Sequence, residues 1–113
     1  MGEIVLIIVT GASRGLGKAI ADRLVNHGEE VIGVSRKKCD TNIELLEGDV
    51  GDYLSIKEVA RKIKLRKKPL KALINAAGIA SMNLAITTDN NTVQKLIQTN
   101  LMGTIFCCQL FAP

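Results

Sequence analysis

The sequence predicts an α/β fold in which one parallel β-sheet carries helices on both of its faces. Short apolar runs alternate with amphipathic stretches, and a glycine-rich turn joins the first apolar run to the first amphipathic stretch. Strands that alternate with helices are typical of parallel sheets, because each crossover returns the chain to the same end of the sheet. We therefore expect one unit, an incomplete doubly wound sheet of about four strands in the order 3-2-1-4.

The first predicted elements are a strand and a helix. Residues 4–9 form an unbroken apolar run, which indicates a buried strand. A helix is predicted over residues 15–27, with Ile20 and Leu24 on one face, and Gly28 is its expected stop.

Two short strands and a second helix follow. Apolar runs at residues 31–35 and 43–46 predict the second and third strands. A helix is predicted over residues 53–65, because its apolar residues recur at helical spacing. That inward stripe consists of Ile56, Val59, Ala60 and Ile63. Pro69 cannot extend the helix, and residues 70–75 predict the fourth strand.

The last predicted helix covers residues 91–111. Its large apolar side chains are expected to point inward. These are Val93, Leu96, Ile97, Leu101 and Ile105.

Composition excludes several classes of protein. Of 113 residues, 47% are hydrophobic and 23% are charged, which fits a folded globular chain and not a disordered one. The first apolar run is far shorter than the ~20 residues of a membrane span, and it lacks the basic lead-in of a signal peptide. Cys39, Cys107 and Cys108 show no metal-binding spacing and are expected to be reduced thiols. We therefore expect a cytoplasmic protein with no membrane association and no bound metal.

The net charge of +4 comes largely from one basic segment. Its cations are Arg61, Lys62, Lys64, Arg66, Lys67 and Lys68. They could form a nucleic-acid patch, or the solvated end of a helix, where cations suit the negative end of the dipole. No aromatic residue is interleaved for base stacking, which favours the second interpretation and no nucleic-acid partner.

A glycine turn directly follows the first apolar run. Gly11, Gly15 and Gly17 lie in the segment Thr-Gly-Ala-Ser-Arg-Gly-Leu-Gly, between the predicted strand and helix. The first turn of a helix has unpaired N–H groups and the positive end of the helix dipole, so it binds anions. Gly11 suits the tight turn, Gly15 lets the backbone approach phosphate, and Gly17 lets the helix pack closely on the sheet. The segment therefore predicts a site for the pyrophosphate of a dinucleotide.

The chain resembles the short-chain dehydrogenase/reductase family, whose members carry Thr-Gly-x-x-x-Gly-x-Gly at this place. Three further segments match the family in order: Gly48-Asp49-Val50, Asn75-Ala76-Ala77-Gly78 and Asn100-Leu101-Met102-Gly103. The resemblance implies a Rossmann-type fold and an oxidoreductase that transfers hydride between nicotinamide and a carbonyl or alcohol carbon of a small molecule. It covers about the first half of the family's domain, and the family's catalytic Ser and Tyr-x-x-x-Lys are expected beyond residue 113. We therefore expect this chain alone to bind cofactor without turnover.

The end of the second strand indicates which cofactor is bound. NAD-specific sites of this fold have an acidic residue there, whereas this chain has Arg36 and Lys37. Arg14, in the glycine turn, adds a third cation on the same side. Because a guanidinium pairs well with a phosphate, we expect NADP(H) as the cofactor, and NAD is the less favoured one. The alternative is that these residues are ordinary surface cations.

The resemblance assigns further cofactor contacts. Asp49 is expected to accept from the adenine amino group and Val50 to lie against the ring. The alternative for Asp49 is a cap of the helix that starts near Asp52. The remaining expected contacts are Ser13, Leu16, Asn75, Ala76, Ala77 and Gly78, and Ala76 departs from the family's commoner asparagine.

Asn100 is the expected catalytic residue in this chain. The family has an asparagine at this position, which completes a proton relay through water. We expect Asn100 to be buried, and a hydrogen bond within the helix packing is the alternative role. Tyr53 and Lys57 have the spacing of the family's catalytic pair, but they lie at the adenine end and are expected to be non-catalytic.

Two other functions stay open at this point. The chain could be a non-catalytic nucleotide-binding module, or an interaction module that pairs through an uncovered edge of the fourth strand. The last helix is usually a dimer face in this family, so the resemblance also implies a homo-oligomer formed through it.

Overall fold

Four parallel strands form one sheet, and the computed structural model describes residues 5–37, 43–78 and 89–111. The strands are β1 (Leu6–Thr10), β2 (Glu30–Ser35), β3 (Glu44–Glu47) and β4 (Leu70–Asn75). The helices are α1 (Gly15–Asn26), α2 (Tyr53–Lys64), α3 (Asn90–Leu96) and α4 (Gly103–Phe111), and a π-helical segment, Ile97–Met102, joins the last two. The strand order is β3-β2-β1-β4, which confirms the predicted fold class and topology.

The central strand β1 divides the interior into two apolar layers. Its register pairs Ile8 with Ile32 of β2 on one side and with Leu73 of β4 on the other. Successive side chains of a strand point to opposite faces. Leu6 and Ile8 accordingly pack with residues of α2 and α4, whereas Ile7 and Val9 pack with residues of α1. Helices therefore cover both faces of the sheet.

Local sequence features determine where α1 ends and where α2 begins. Gly28, with φ +85°, ends the first helix in the left-handed region that glycine tolerates. The Asp52 carboxylate accepts hydrogen bonds from the N–H groups of Leu54 and Ser55, so Asp52 caps α2. The alternative in which Asp49 caps this helix is therefore wrong.

The predicted inward stripe of α2 is confirmed, and β4 has the predicted bounds. The first strand ends one residue later than expected, and β3 is displaced by one residue. Residue 4 of the predicted first strand and Cys39 lie outside the described residues.

The inward face predicted for the last helix is wrong. Val93, Ile97, Leu101 and Ile105 are between 41% and 58% exposed, and Leu96 is only partly buried. The buried residues of α4 are Gly103, Cys107 and Phe111. A Cβ on Gly103 would lie 2.8 Å from Val50 Cγ2, so only a small residue fits this contact. The prediction selected side chains by hydrophobicity alone, whereas the packed face includes Gly103, where the close approach to Val50 requires a small residue.

Burial also determines the protonation state of one thiol. Cys107 is fully buried in α4, whereas Cys108 is exposed. Burial raises the pKa of the Cys107 thiol to about 12, so the thiol stays protonated at neutral pH.

Cations between α2 and the start of β4 form ion pairs with glutamates at the starts of β2 and β3. Lys68 Nζ lies 2.6 Å from Glu30 Oε1, and Lys71 Nζ lies 2.9 Å from Glu29 Oε1. Arg66 pairs with Glu44, and this guanidinium lowers the pKa of the Glu44 carboxyl. These cations thus connect the start of β4 to β2 and β3. Among the described helices, none is long and apolar enough to cross a membrane.

Candidate functional site

A cleft lies where the chain leaves the carboxyl ends of the strands. It brings together the turns after all four strands and the π-helical segment. Its lining residues are Gly11, Arg14, Val34, Ser35, Arg36, Gly48, Asp49, Val50, Ala77, Gly78 and Thr99. Parallel α/β sheets bind ligands in this position, because the strand order reverses there and the loops diverge.

The glycine turn after β1 forms the floor of the cleft. Gly11 has φ +67°, and its N–H donates to the Val34 carbonyl at 2.8 Å. A Cβ on Gly11 would lie 2.7 Å from Ala77 Cα, and one on Gly17 would lie 2.1 Å from the Gly11 carbonyl oxygen. Gly15, with φ +60°, has no atom within 4 Å of such a Cβ. Gly11 and Gly17 therefore lie tightly against the protein backbone, whereas the space beside Gly15 is open.

The N-terminus of α1 is suited to an anion. Arg14 occupies the capping position in an extended conformation, and its side chain makes no capping hydrogen bond. The first turn contains no acidic residue. Its N–H groups lack helical acceptors and the helix dipole is positive there, so a phosphate is favoured. Leu16, in the same turn, is 72% exposed.

Three cations converge beside this turn. Ser13, Arg14, Arg36 and Lys37 line a cavity of about 430 Å³, and none of these described lining residues is acidic. The Ser35 hydroxyl donates to the Lys37 carbonyl at 2.6 Å, which fixes the backbone as it leaves β2. The structure thus brings the predicted cations of the glycine turn and of the second strand to one place. A cavity with two guanidinium groups suits a phosphate.

Arg36 also borders the turn that follows β3. A neighbouring cavity of about 330 Å³ is lined by Arg36, Glu47, Gly48, Asp49 and Ser55. Asp49 Oδ1 accepts from the Gly51 N–H at 2.9 Å, and the Asp49 N–H donates to Ser55 Oγ at 2.9 Å. Both bonds hold the Asp49 carboxylate at the edge of the cleft. Val50 lines the cleft as well and is otherwise buried.

The segment after β4 forms the opposite wall. The Ala77 N–H donates to Thr10 Oγ1 at 3.2 Å, and Asn75 Nδ2 lies 3.8 Å from Cys108 Sγ. Thr10 is buried, and no role was expected for its hydroxyl. Its signal in the sequence is the hydroxyl residue that begins the glycine motif. Ala76 and Ala77 are small, so the wall stays close to the glycine turn.

Asn100 lies at the β4 side of the cleft, but it is exposed and not buried as expected. A Cβ on Gly78 would lie 3.1 Å from Asn100 Oδ1, so this amide borders the wall segment. The π-helical segment widens the turn here, and this displaces Asn100 from the packed face. Its neighbour Thr99, which sequence reasoning did not identify, lines the cleft.

Tyr53 has a packing role. Its ring stacks edge-on against Phe106, with centroids 5.4 Å apart and planes at 79°. This contact packs the start of α2 against α4 and gives no support to a catalytic role for Tyr53 and Lys57.

Comparisons with known proteins agree with this geometry. The family model described as short chain dehydrogenase matches residues 5–113. The 3-oxoacyl-acyl-carrier-protein reductase FabG of Escherichia coli is 34% identical over an alignment of 105 positions, and this alignment covers 85% of this chain and 43% of that protein. The 3-ketodihydrosphingosine reductase of Bacteroides thetaiotaomicron is 29% identical over 110 residues, 96% of this chain and 41% of that protein.

A solved structure shows the same architecture. The ligand-free aldohexose dehydrogenase of Thermoplasma acidophilum is 29% identical, with a TM-score of 0.91 over 99% of this chain and 46% of that one. This chain therefore spans less than half the length of these relatives. Because the family model extends over nearly all of the sequence and the strand order agrees, the chain belongs to the short-chain dehydrogenase family.

Proposed function

We propose that this cleft binds NADP(H) and that the chain is the cofactor-binding part of an oxidoreductase. The substrate would be a small molecule with a carbonyl or alcohol group, and the bound cofactor would supply or accept the hydride. The observation that carries the proposal is the convergence of Arg14, Arg36 and Lys37 on one cavity beside the glycine turn.

The positions of these cations support a 2′-phosphate. In NAD-binding sites of this fold, an acidic residue at the end of the second strand binds the adenosine ribose hydroxyls. Here Arg36 takes that position, and it borders both the basic cavity and the cavity beside Asp49. The 2′-phosphate of the ribose would lie between these two cavities. An NAD-type acidic residue would instead repel that phosphate.

The other contacts follow from the same orientation of the cofactor. The first turn of α1, with Ser13 and Leu16, would hold the pyrophosphate. Asp49 would accept from the adenine amino group, and Val50 would contact the ring. The wall segment of Asn75, Ala76, Ala77 and Gly78 would lie along the riboses.

Asn100 would hold a water in the proton relay at the nicotinamide side. It is the one residue of the family's relay with a counterpart in this chain, so we propose that the chain alone binds cofactor without turnover. The two curated relatives are named as reductases, which favours carbonyl reduction. We place this function in the cytoplasm, where Cys107 and Cys108 would stay reduced.

Removing one guanidinium tests the choice of cofactor. We expect Arg36→Ala to weaken NADPH binding by roughly 10- to 100-fold, because the 2′-phosphate loses a charge-assisted hydrogen bond. The NADH affinity should change by less than about threefold, since NADH has no 2′-phosphate. Fluorescence titration of both nucleotides gives the two dissociation constants. The matched control is Arg23→Ala, an exposed arginine in the last turn of α1.

Equal losses of affinity for NADPH and NADH in the Arg36→Ala variant would contradict the assignment of the 2′-phosphate to Arg36. A loss of the same size in Arg23→Ala would show that net charge, and not this position, determines the affinity.

We also propose that the chain forms a homo-oligomer through its last helical region. Val93, Ile97, Leu101 and Ile105 form an exposed apolar stripe along this region, and such stripes mark interfaces. We expect Leu101→Lys to weaken self-association by at least about tenfold in sedimentation equilibrium, because a buried lysine lacks a partner. The control Leu54→Lys changes a leucine of α2 that is 73% exposed and should have no effect. A monomeric unmodified chain at all concentrations would contradict the proposal.

A further inference from the structure

The π-helical segment is bonded to the turn that follows β3. Gln98 Nε2 donates to the Gly51 carbonyl oxygen at 2.5 Å. The Gly51 N–H in turn donates to Asp49 Oδ1 at 2.9 Å. A Cβ on Gly51 would lie 3.3 Å from Gln98 Cγ, so the glutamine side chain packs directly on this turn. Gln98 therefore contacts the residue that orients the Asp49 carboxylate.

The same segment reaches the opposite wall of the cleft. Thr99 and Asn100 follow Gln98 within the six residues of π-helix. Thr99 lines the cleft, and Asn100 Oδ1 lies beside Gly78. π-Helical turns are rare and frequently occur at functional sites, where they re-aim side chains. A displacement of Gln98 would therefore move Thr99 and Asn100 with it.

We infer that Gln98 is a positioning residue that couples the Asp49 turn to Asn100. Its amide links the wall that would bind adenine to the wall that would border the nicotinamide. This inference builds on the proposed NADP(H) site and adds a residue that lies outside every matched motif. The Gly51 carbonyl has its bond from Gln98, so a side chain without a donor would leave both the turn and Asn100 less constrained.

Two substitutions of Gln98 distinguish the effect of losing its hydrogen-bond donor from the effect of changing the shape of its side chain. Gln98→Met keeps a straight chain of similar length, and Gln98→Glu is isosteric but only accepts while ionised. Adenosine 2′,5′-bisphosphate is the probe, because it lacks the nicotinamide half of the cofactor. We expect each variant to bind this probe roughly 3- to 10-fold more weakly than the unmodified chain in calorimetry at pH 7.5. The matched control is Gln94→Met, an exposed glutamine one turn earlier on α3.

The coupling itself is measured by NMR at the Asn100 side-chain amide. In the unmodified chain, the probe should shift this signal although the probe does not reach the nicotinamide side. In Gln98→Met and Gln98→Glu the shift should be lost, while Gln94→Met should retain it. Thermal unfolding of each variant, measured in parallel, identifies any loss that is due to misfolding. If Gln98→Met does not fold, the isosteric Gln98→Glu variant gives the result.

The outcomes are distinct. Normal probe affinity and a normal Asn100 shift in both folded variants would overturn the inference and leave the proposed function intact. No binding of the probe by the unmodified chain would contradict the proposed NADP(H) site and the inference together.

Discussion

Replacing Gly17 with alanine is expected to lower the free energy of unfolding by about 2–3 kcal/mol and to abolish cofactor binding. An alanine Cβ at this position would lie 2.1 Å from the Gly11 carbonyl oxygen and 2.7 Å from the Gly11 carbonyl carbon. Both atoms belong to the backbone of the turn, so no side-chain rotation relieves the clash. Helix α1 must move away from β1, and the turn that would hold the pyrophosphate moves with it.

The Gly17→Ala test is informative because the expected loss of stability is opposite to the effect of the same change at an ordinary helix position. Inside an ordinary helix, changing glycine to alanine stabilises by about 1 kcal/mol. The matched control is Ala19→Gly at an exposed position of the same helix, which should cost about 1 kcal/mol. Urea unfolding followed by circular dichroism gives both free energies. A stabilised Gly17→Ala variant would show that the close contact between α1 and the turn does not exist.

Truncation of Ile56 to alanine is expected to destabilise the fold by about 2–5 kcal/mol. Ile56 is fully buried and lies at the centre of the layer between the sheet and the helices α2 and α4. Its loss removes apolar contacts and leaves a cavity between rigid elements. In a small domain this is a large share of the total stability.

The control for this change lies two residues earlier on the same helix. Leu54 is 73% exposed, so Leu54→Ala should alter the free energy of unfolding by no more than about 0.5 kcal/mol. Chemical denaturation of both variants provides the comparison. Similar values for Ile56→Ala and Leu54→Ala would contradict the orientation of α2 on the sheet.

Periodicity in the sequence was sufficient to predict the fold class and most of the helices and strands. The stripe of α2 was predicted because its four apolar residues recur at helical spacing, and the structure buries all of them. The strand β4 was predicted with correct bounds because Pro69 and the polar Asn75 delimit it. The strand order agrees with the order 3-2-1-4 that is expected of a Rossmann-type sheet.

The last helical region shows where such reasoning fails. Its apolar side chains recur every four residues from Val93 to Ile105, yet the packed face is formed by Gly103, Cys107 and Phe111. The choice depends on the distance between helix and sheet, which residue hydrophobicity does not encode. The π-helical segment also changes the angular position of Asn100, and no local sequence signal predicts it.

The candidate site was predictable where residues belong to one turn or to adjacent strand ends. Arg14 and Arg36 were expected on the same side because the carboxyl ends of parallel strands meet at one edge of the sheet. The contacts of Thr10 with Ala77 and of Gln98 with Gly51 join residues 67 and 47 positions apart. They depend on the packed arrangement of three elements and could not be derived from spacing.

A calorimetric titration of the unmodified chain with NADPH, run beside one with NADH, tests the central claim most directly. We predict saturable binding of NADPH at least about tenfold tighter than that of NADH, because only NADPH carries the phosphate that Arg14 and Arg36 would bind. Equal affinities, or tighter binding of NADH, would contradict the assignment of the basic cavity to the 2′-phosphate. No binding of either nucleotide would contradict the claim that this cleft forms a cofactor site in this chain.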